Sequence, residues 1–351
     1  DSPLEDLRDP LARIASEGPA AGVHLIVSTQ RWNAIRAAVR DLIGTRFELH
    51  LAEAADSLIS RKEQLRVPAA PGRGLAPDGR HMLVAATHPQ DLAHIAAQAA
   101  AQPRVPRLKV LPAVVDARSL LDAPTGQRLP FGIGGSQLDT LFLDAAHLLA
   151  IGSRGSGKST LIATLLAGIC SLPRQRARIV LVDPRRTHLH LSGSDMVAAY
   201  AVASSVSETV NAAVETLRSR LPGPEVTAEQ LAERSWWEGP DIYLIIDDLD
   251  IVGDEPFRPL LSLLPHAHDV GLHVIVARKF GGSDRALYSG LLAALKDLTP
   301  DVLIFDGNKD EGALFGVKPA SKPPGRATLM RAGHNAGDVQ IATLEPEGEG
   351  Q

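Results

Sequence analysis

The chain has 351 residues, 44% hydrophobic and 22% charged, the proportions of globular domains rather than of a disordered or collagen-like polypeptide. Forty-one acidic against 36 basic residues leave a formal net charge of −5, which excludes a globally basic nucleic-acid coat. Cys170 is the single cysteine, so neither an intramolecular disulfide nor a thiolate zinc site can form, and no run reaches the roughly 18 apolar residues of a membrane span.

The length predicts about two domains. The acidic start, with Asp1, Glu5 and Asp6, is no signal peptide, and a cytoplasmic chain is expected. A chain that opens on Asp1 rather than Met reads as one from which something upstream has been removed.

Residues 1–87 read as α/β. Leu4, Leu7, Leu11 and Ile14 predict an amphipathic helix, Val23–Val27 a strand, Trp32 to Ile43 a helix, Arg46–Leu51 a second strand and Met82–Val84 a last one. This alternation predicts parallel strands with helical crossovers. His88 to Ala101 predicts an alanine-rich helix, and Pro103, Pro106, Pro112, Pro124 and Pro130 space short apolar pieces, so residues 88–128 read as an inter-domain helix and proline-rich linker.

Residues 129–344 form a second, complete α/β unit. Apolar runs at 148–151, 179–182, 242–246, 272–276 and 302–305, separated by helical patterns, predict a mostly parallel sheet covered on both faces. Ser205 with Glu208, and Thr227 with Gln230, have capping-box spacing at two helix starts. Residues 345–351, with three glutamates, are expected to be a disordered tail.

The chemistry is carried by Leu148–Ile151 running into Gly152-Ser153-Arg154-Gly155-Ser156-Gly157-Lys158-Ser159, with Thr160 to Ile169 continuing as a helix. This is G-x-x-x-x-G-K-S between a strand and a helix. The glycines let backbone N–H groups curl around phosphate oxygens at the positive end of a helix dipole. Lys158 reaches the β- and γ-phosphates, the Ser159 hydroxyl is placed for Mg²⁺, and Ser156 and Thr160 are further donors.

The partner motif is the strand Ile242–Ile246 ending in Asp247 and Asp248, with Asp247 as the candidate magnesium residue. Asp248 is the candidate catalytic carboxylate, one methylene shorter than the glutamate many P-loop motors use to orient water, so binding is a safer expectation than hydrolysis. Asp250 reads as a helix cap or a solvated residue. The end of the 272–276 strand offers Ala277 and Arg278, the latter a candidate nucleotide contact.

Arg46 reads either as an arginine that reaches a neighbouring subunit or as a strand-start residue paired with Glu48. His188, His190, His266 and His268 read as solvated loop histidines and Cys170 as a core residue. Trp236-Trp237 reads as an exposed contact patch or as partly buried.

The two units show self-similarity. Gly22–Val27 matches Gly271–Val276, Asp41-Leu42 matches Asp297-Leu298, and Pro71-Gly72-Arg73 matches Pro324-Gly325-Arg326, in the same order. Residues 1–87 thus read as the C-terminal part of a repeat of which 129–344 is a whole copy.

Together with Thr29–Trp32, Arg40–Leu49 and Pro71-Gly72-Arg73-Gly74, the P-loop unit resembles the EccC-type ATPase subunits of type VII (ESX) secretion systems, of the FtsK/SpoIIIE class. The resemblance covers nearly the whole chain, as the end of the second and the complete third ATPase domain. Ala52–Ser57 departs from the Gly-Asp-Pro expected after the Glu48 strand.

The resemblance implies a RecA/FtsK-like fold and a module that binds Mg-ATP firmly and hydrolyses it slowly. It further implies docking of the C-terminal signal of WXG-type secreted proteins, assistance or regulation of the hydrolysing domain, and a place in a ring on the cytoplasmic side of an inner-membrane complex. The alternatives are a fully active stand-alone ATPase and an FtsK-like DNA translocase. Against the last stand the net charge and the lack of a basic winged-helix region.

Overall fold

In the computed structural model, residues 7–100, 108–122, 128–308 and 312–344 are described, and the chain divides into two units, Asp1–Pro106 and Arg107–Gln351. The expected tail at 345–351, with Leu4, Pro103, Pro106 and Pro124, lies outside the described residues.

In the first unit the expected N-terminal helix forms at Arg8–Glu17 and the alanine-rich one at Pro89–Ala99. Between them β1 (Glu48–Leu49), β2 (Arg73–Leu75) and β3 (His81–Leu83) make a small sheet in that order. It is antiparallel, correcting the expected parallel arrangement. The Val23–Val27 run makes no strand, because no strand among the described residues lies beside it: the Val23 amide turns back to Gly18 O, and Ile26 is 95% exposed.

The expected Trp32–Ile43 helix breaks into a short turn at Trp32–Ala34 and one helical turn at Ala37–Arg40, because Ile35 and Arg36 are extended between them. The Trp32 indole N–H donates to the buried Glu48 Oε1 at 2.7 Å. Glu48 also accepts from Ser57 Oγ, Leu58 N and Gln64 Nε2, while Arg46 donates to Arg40 O instead. The Arg46–Glu48 pairing is therefore absent: neutral donors already fill the carboxylate.

The second unit is a ten-stranded sheet of β4 (Pro130–Gly134), β5 (Asp139–Phe142), β6 (His147–Gly152), β7 (Ala177–Val182), β8 (Val197–Ala201), β9 (Asp241–Ile246), β10 (Leu272–Lys279), β11 (Asp301–Ile304), β12 (Arg326–Arg331) and β13 (His334–Ile341). The order is β5-β4-β13-β12-β11-β6-β10-β9-β7-β8. From β11 to β8 all neighbours are parallel, and the β5–β12 wing is antiparallel.

Apolar side chains on both strand faces bury this sheet under helices on each side. Leu148 and Ala150 pack with Leu161, Ile162, Leu165 and Leu166 of the helix Lys158–Cys170. Leu149 and Ile151 face the opposite core, which includes Val206, Val210, Val214 and Leu217 of the helix Val206–Arg218.

All five expected strands form, as β6, β7, β9, β10 and β11. The four-strand wing and β8 are additions. Part of the stretch read as linker also belongs to this unit: Val115, Ala117 and Leu120 pack with Ala342, and Asp116 bridges to Thr343.

Thr227 and Gln230 exchange both capping bonds, at 3.2 and 2.9 Å. Ser205 does not cap through Glu208, because its hydroxyl is turned back to the Val202 amide and carbonyl. Trp236 and Trp237 are half-buried, with their indole N–H groups donating to Arg220 O and Asp269 O. Cys170 is half-buried, and burial pushes its thiol up, away from the reactive thiolate.

The matched segments share the conformation of their glycines, although Val23–Val27 makes no strand where Leu272–Val276 does. Gly22 and Gly271 have φ of 74° and 70°, and Gly72 and Gly325 have 76° and 74°. Glu48 pairs with Leu75 as Ile304 pairs with Thr328, each partner two residues beyond its Pro-Gly-Arg.

His147 at the start of β6 is buried, its Nδ1 accepts the Val274 amide, and burial, helped by the charge of His273, pushes its pKa down to about 4. The stability this contributes is present above the unfolded value near 6.5 and lost as pH falls toward 4. Lowering the pH from 7 to 5 should cost roughly 2 kcal/mol through this residue. His147→Asn, which keeps an acceptor and removes the proton site, should flatten that loss in paired urea titrations.

Candidate nucleotide site

β6 delivers Gly152 to the carboxyl edge of the sheet, and the chain turns through residues 153–157 into the helix that starts at Lys158. Gly155 and Gly157 have φ of 76° and 107°, which side-chain-bearing residues rarely adopt. A Cβ on Gly157 would also lie 2.8 Å from Gly325 N, and one on Gly152 would lie 2.5 Å from the Phe305 side chain. The loop is fastened by Ser153 N to Asp306 O and by Gly325 N to Ser156 O, at 2.8 and 2.9 Å.

Lys158 is 7% exposed, and its ammonium donates to Gly152 O and Ser153 O at 2.9 and 2.8 Å. Burial lowers its pKa from the ordinary value, opposed by the Asp248, Asp247 and Asp250 carboxylates. Ser159 Oγ donates to Asp247 Oδ2 at 3.1 Å, joining the loop to the end of β9. Arg154 and Gly155 are exposed, and Thr160 is half-buried in the first helical turn.

Asp248 has a left-handed φ of 60°, and its Oδ2 is paired with Arg185 Nε at 2.5 Å. Asp250 accepts the Lys279 amide.

The structure thus brings Gly152 to Thr160, Asp247 and Asp248 together. Arg278 is not brought to them. Strand alternation puts it on the face of Val274 and Val276, opposite the helix Lys158–Cys170, and its guanidinium donates to Gly282 O. Ala277, on the loop's face, is fully buried.

His188 corrects the expectation of a solvated loop residue. It is buried, with Nε2 3.4 Å from Asp247 Oδ2, because Asp183 at the end of β7 accepts the Thr187 and His188 amides and the Tyr200 hydroxyl and folds residues 183–188 inward. The sequence signal was Asp183-Pro184 directly after an apolar strand, at the edge where open parallel sheets bind ligands.

Three buried polar atoms around the loop have no hydrogen-bond partner: Ser156 Oγ, Asp247 Oδ1 and His188 Nε2. Such atoms cost about 1–3 kcal/mol each unless something satisfies them, which fits a site for phosphate and a hydrated cation.

Beside the loop opens a cavity of about 580 Å³, whose walls include Lys158, Ser159, Thr160, Pro323, Pro324 and Gln340. Ala113 and Val114 close it from the N-terminal strap. Arg326 braces that strap by donating to Leu111 O and Pro112 O while its Nε donates to Gln340. Sequence reasoning noticed Pro324-Gly325-Arg326 as a repeat but did not assign it to this wall.

A profile of the FtsK/SpoIIIE family matches residues 4–98. The ESX-4 secretion system protein EccC4 of Mycobacterium tuberculosis is 38% identical over 97% of this chain and 28% of its own length. Thermomonospora curvata EccC (ATPases 2 and 3), solved in complex with a signal sequence peptide, is 36% identical with a TM-score of 0.72 over 97% of this chain and 66% of that one. A solved structure described as an ATPase is 32% identical with a TM-score of 0.61, over 67% of this chain and 97% of its own.

The chain carries an FtsK/SpoIIIE domain match. Its fold is the P-loop NTPase fold, with a nucleotide as the ligand the family implies. The chain spans about 28% of the length of the T. curvata EccC and M. tuberculosis EccC4 relatives it matches. Among its described residues no helix is long and apolar enough to cross a membrane.

Proposed function

We propose that the chain is an ATP-binding part of a type VII protein-secretion ATPase, with residues 1–87 closing one ATPase domain and 129–344 forming the next. The observation that carries this reading is the Lys158–Ser159–Asp247 constellation with its three unpartnered buried atoms. On binding, Lys158 exchanges two loop carbonyls for β- and γ-phosphate oxygens, and the amides of Gly155 to Ser159 face the same anion. Ser159 and Asp247 are the residues that would hold Mg²⁺, which when bound neutralises charge between the phosphates.

Hydrolysis is slow in this reading. Asp248, the candidate to orient water, is committed to Arg185, and Ala277 offers no polar group from the adjacent strand. A nucleotide that stays intact suits a docking and regulatory unit. The signal peptide held by the T. curvata relative supports extending to this chain the capture of the C-terminal signal of WXG-type secreted proteins. Its setting would be the cytoplasmic side of an inner-membrane complex, within a ring of like subunits, assisting the domain that hydrolyses.

The test is to purify the protein with Mg²⁺, denature it, identify the released nucleotide and follow added ATP over hours. Intact ATP at about one per chain is the expected result; rapid conversion to ADP would overturn the slow-turnover reading.

A further inference from the structure

His188 is a buried ionisable side chain whose Nε2 lies at the proposed site but has been given no role of its own in the chemistry. Its ring is 3% exposed and the facing Asp247 carboxylate 2%. Nε2 stands 3.4 Å from Oδ2, at ion-pair range but without hydrogen-bond alignment, so the nitrogen still has no formal partner.

Packing alone does not account for it. An apolar side chain would fill the same space without leaving a ring nitrogen buried and unpaired, at a cost of about 1–3 kcal/mol. The backbone under the ring is built with care: His188 N and Thr187 N donate to Asp183 at 2.6 and 3.0 Å, and Tyr200 holds the same carboxylate.

The two oxygens of Asp247 are not equivalent. Oδ2 is approached by Ser159 Oγ at 3.1 Å and by His188 Nε2, whereas Oδ1 is buried with no partner. Facing a carboxylate, Nε2 must carry the ring hydrogen, since its lone pair would repel the oxygen. The Ser159 hydrogen bond and the Nε2 contact, both on one oxygen, restrict the rotation of the carboxylate and leave the other oxygen's lone pairs free.

We infer that His188 is a positioning residue for Asp247: its imidazole and the Ser159 hydroxyl hold Oδ2 between them and so present Oδ1 to the divalent cation of a nucleoside triphosphate. This rests on the magnesium–nucleotide reading of the site. Partners of this kind, which orient a ligand without touching the metal, commonly carry 10–100-fold of metal affinity.

The experiment measures binding of a fluorescent ATP analogue to the whole chain across a MgCl₂ titration and in EDTA, for the wild type, His188→Ala, His188→Gln and His188→Asn, with thermal melts alongside. The Gln amide nitrogen reaches about as far as Nε2, whereas that of Asn does not. His188→Ala and His188→Asn should need about tenfold more Mg²⁺ for the half-maximal effect, with binding in EDTA unchanged, and His188→Gln should recover most of the loss.

A wild-type magnesium dependence retained in His188→Ala would overturn the positioning role alone. Equal weakening with and without Mg²⁺ would also overturn it, marking the ring as structural. A wild type that binds no ATP at any Mg²⁺ concentration would instead remove the reading on which the inference rests. If His188→Ala does not fold, the Gln and Asn pair still decides: both behaving alike would overturn the inference.

Discussion

Lys158→Ala should abolish ATP binding. The ammonium is the one buried cation in the loop, and its two hydrogen bonds, at 2.9 and 2.8 Å, are to carbonyls that it can release. A hydrogen bond to a charged group contributes about 1.5–3 kcal/mol, so losing two of them from a phosphate lowers affinity by at least about a hundredfold. Lys158→Arg should not rescue binding, because the planar guanidinium does not fit a slot shaped for a compact ammonium. Calorimetric titration with Mg-ATP checks this, and an affinity equal to the wild type's would remove the phosphate-loop assignment.

Asp183→Ala should destabilise the second unit by about 1–3 kcal/mol, the cost of leaving the buried His188 amide unsatisfied, with two partly buried donors released beside it. Three donors lose their acceptor at once: the Thr187 and His188 amides and the Tyr200 hydroxyl. Asp183 is fully buried, so water does not replace it without opening the 183–188 turn. Asp183→Asn keeps one acceptor oxygen and should lose less. Urea unfolding measures both, and a loss under about 1 kcal/mol for the alanine variant would show that the turn is held by something else.

What could be read in the sequence follows from how local each signal is. The P-loop, its strand and helix, and Asp247-Asp248 were legible because each is a contiguous pattern whose periodicity and residue types agree. The five parallel strands were legible as apolar runs, since burial on both faces leaves no polar alternation to confuse them.

The antiparallel wing was missed because β12 breaks its apolar run with Thr328 and is flanked by Arg326 and Arg331, while β13 opens on five exposed residues and buries only Val339–Ile341. The Val23–Val27 run misled for the converse reason: a strand-like composition does not supply neighbours. His188 was misjudged because its burial is imposed by Asp183, five residues earlier, and its meaning by Asp247, 59 positions on. The cavity wall joins Ala113, Lys158, Pro323 and Gln340, a set no linear pattern connects.

The fastening of the loop to Gly325 and Asp306 fixes an order of events during synthesis. The glycine-rich turn is made at residues 152–157, but the amide that holds Ser156 O and the carbonyl that holds Ser153 N leave the ribosome about 150 to 170 residues later. β6 meets its neighbours β10 and β11 only after comparable delays, and pairings this far apart in the chain are slow to form. A nascent chain halted before β12 would display the complete phosphate-loop motif and yet lack its wall. Nucleotide competence is thus among the last properties the second unit acquires, and on the proposed reading a bound nucleotide would favour the finished fold over any earlier stage.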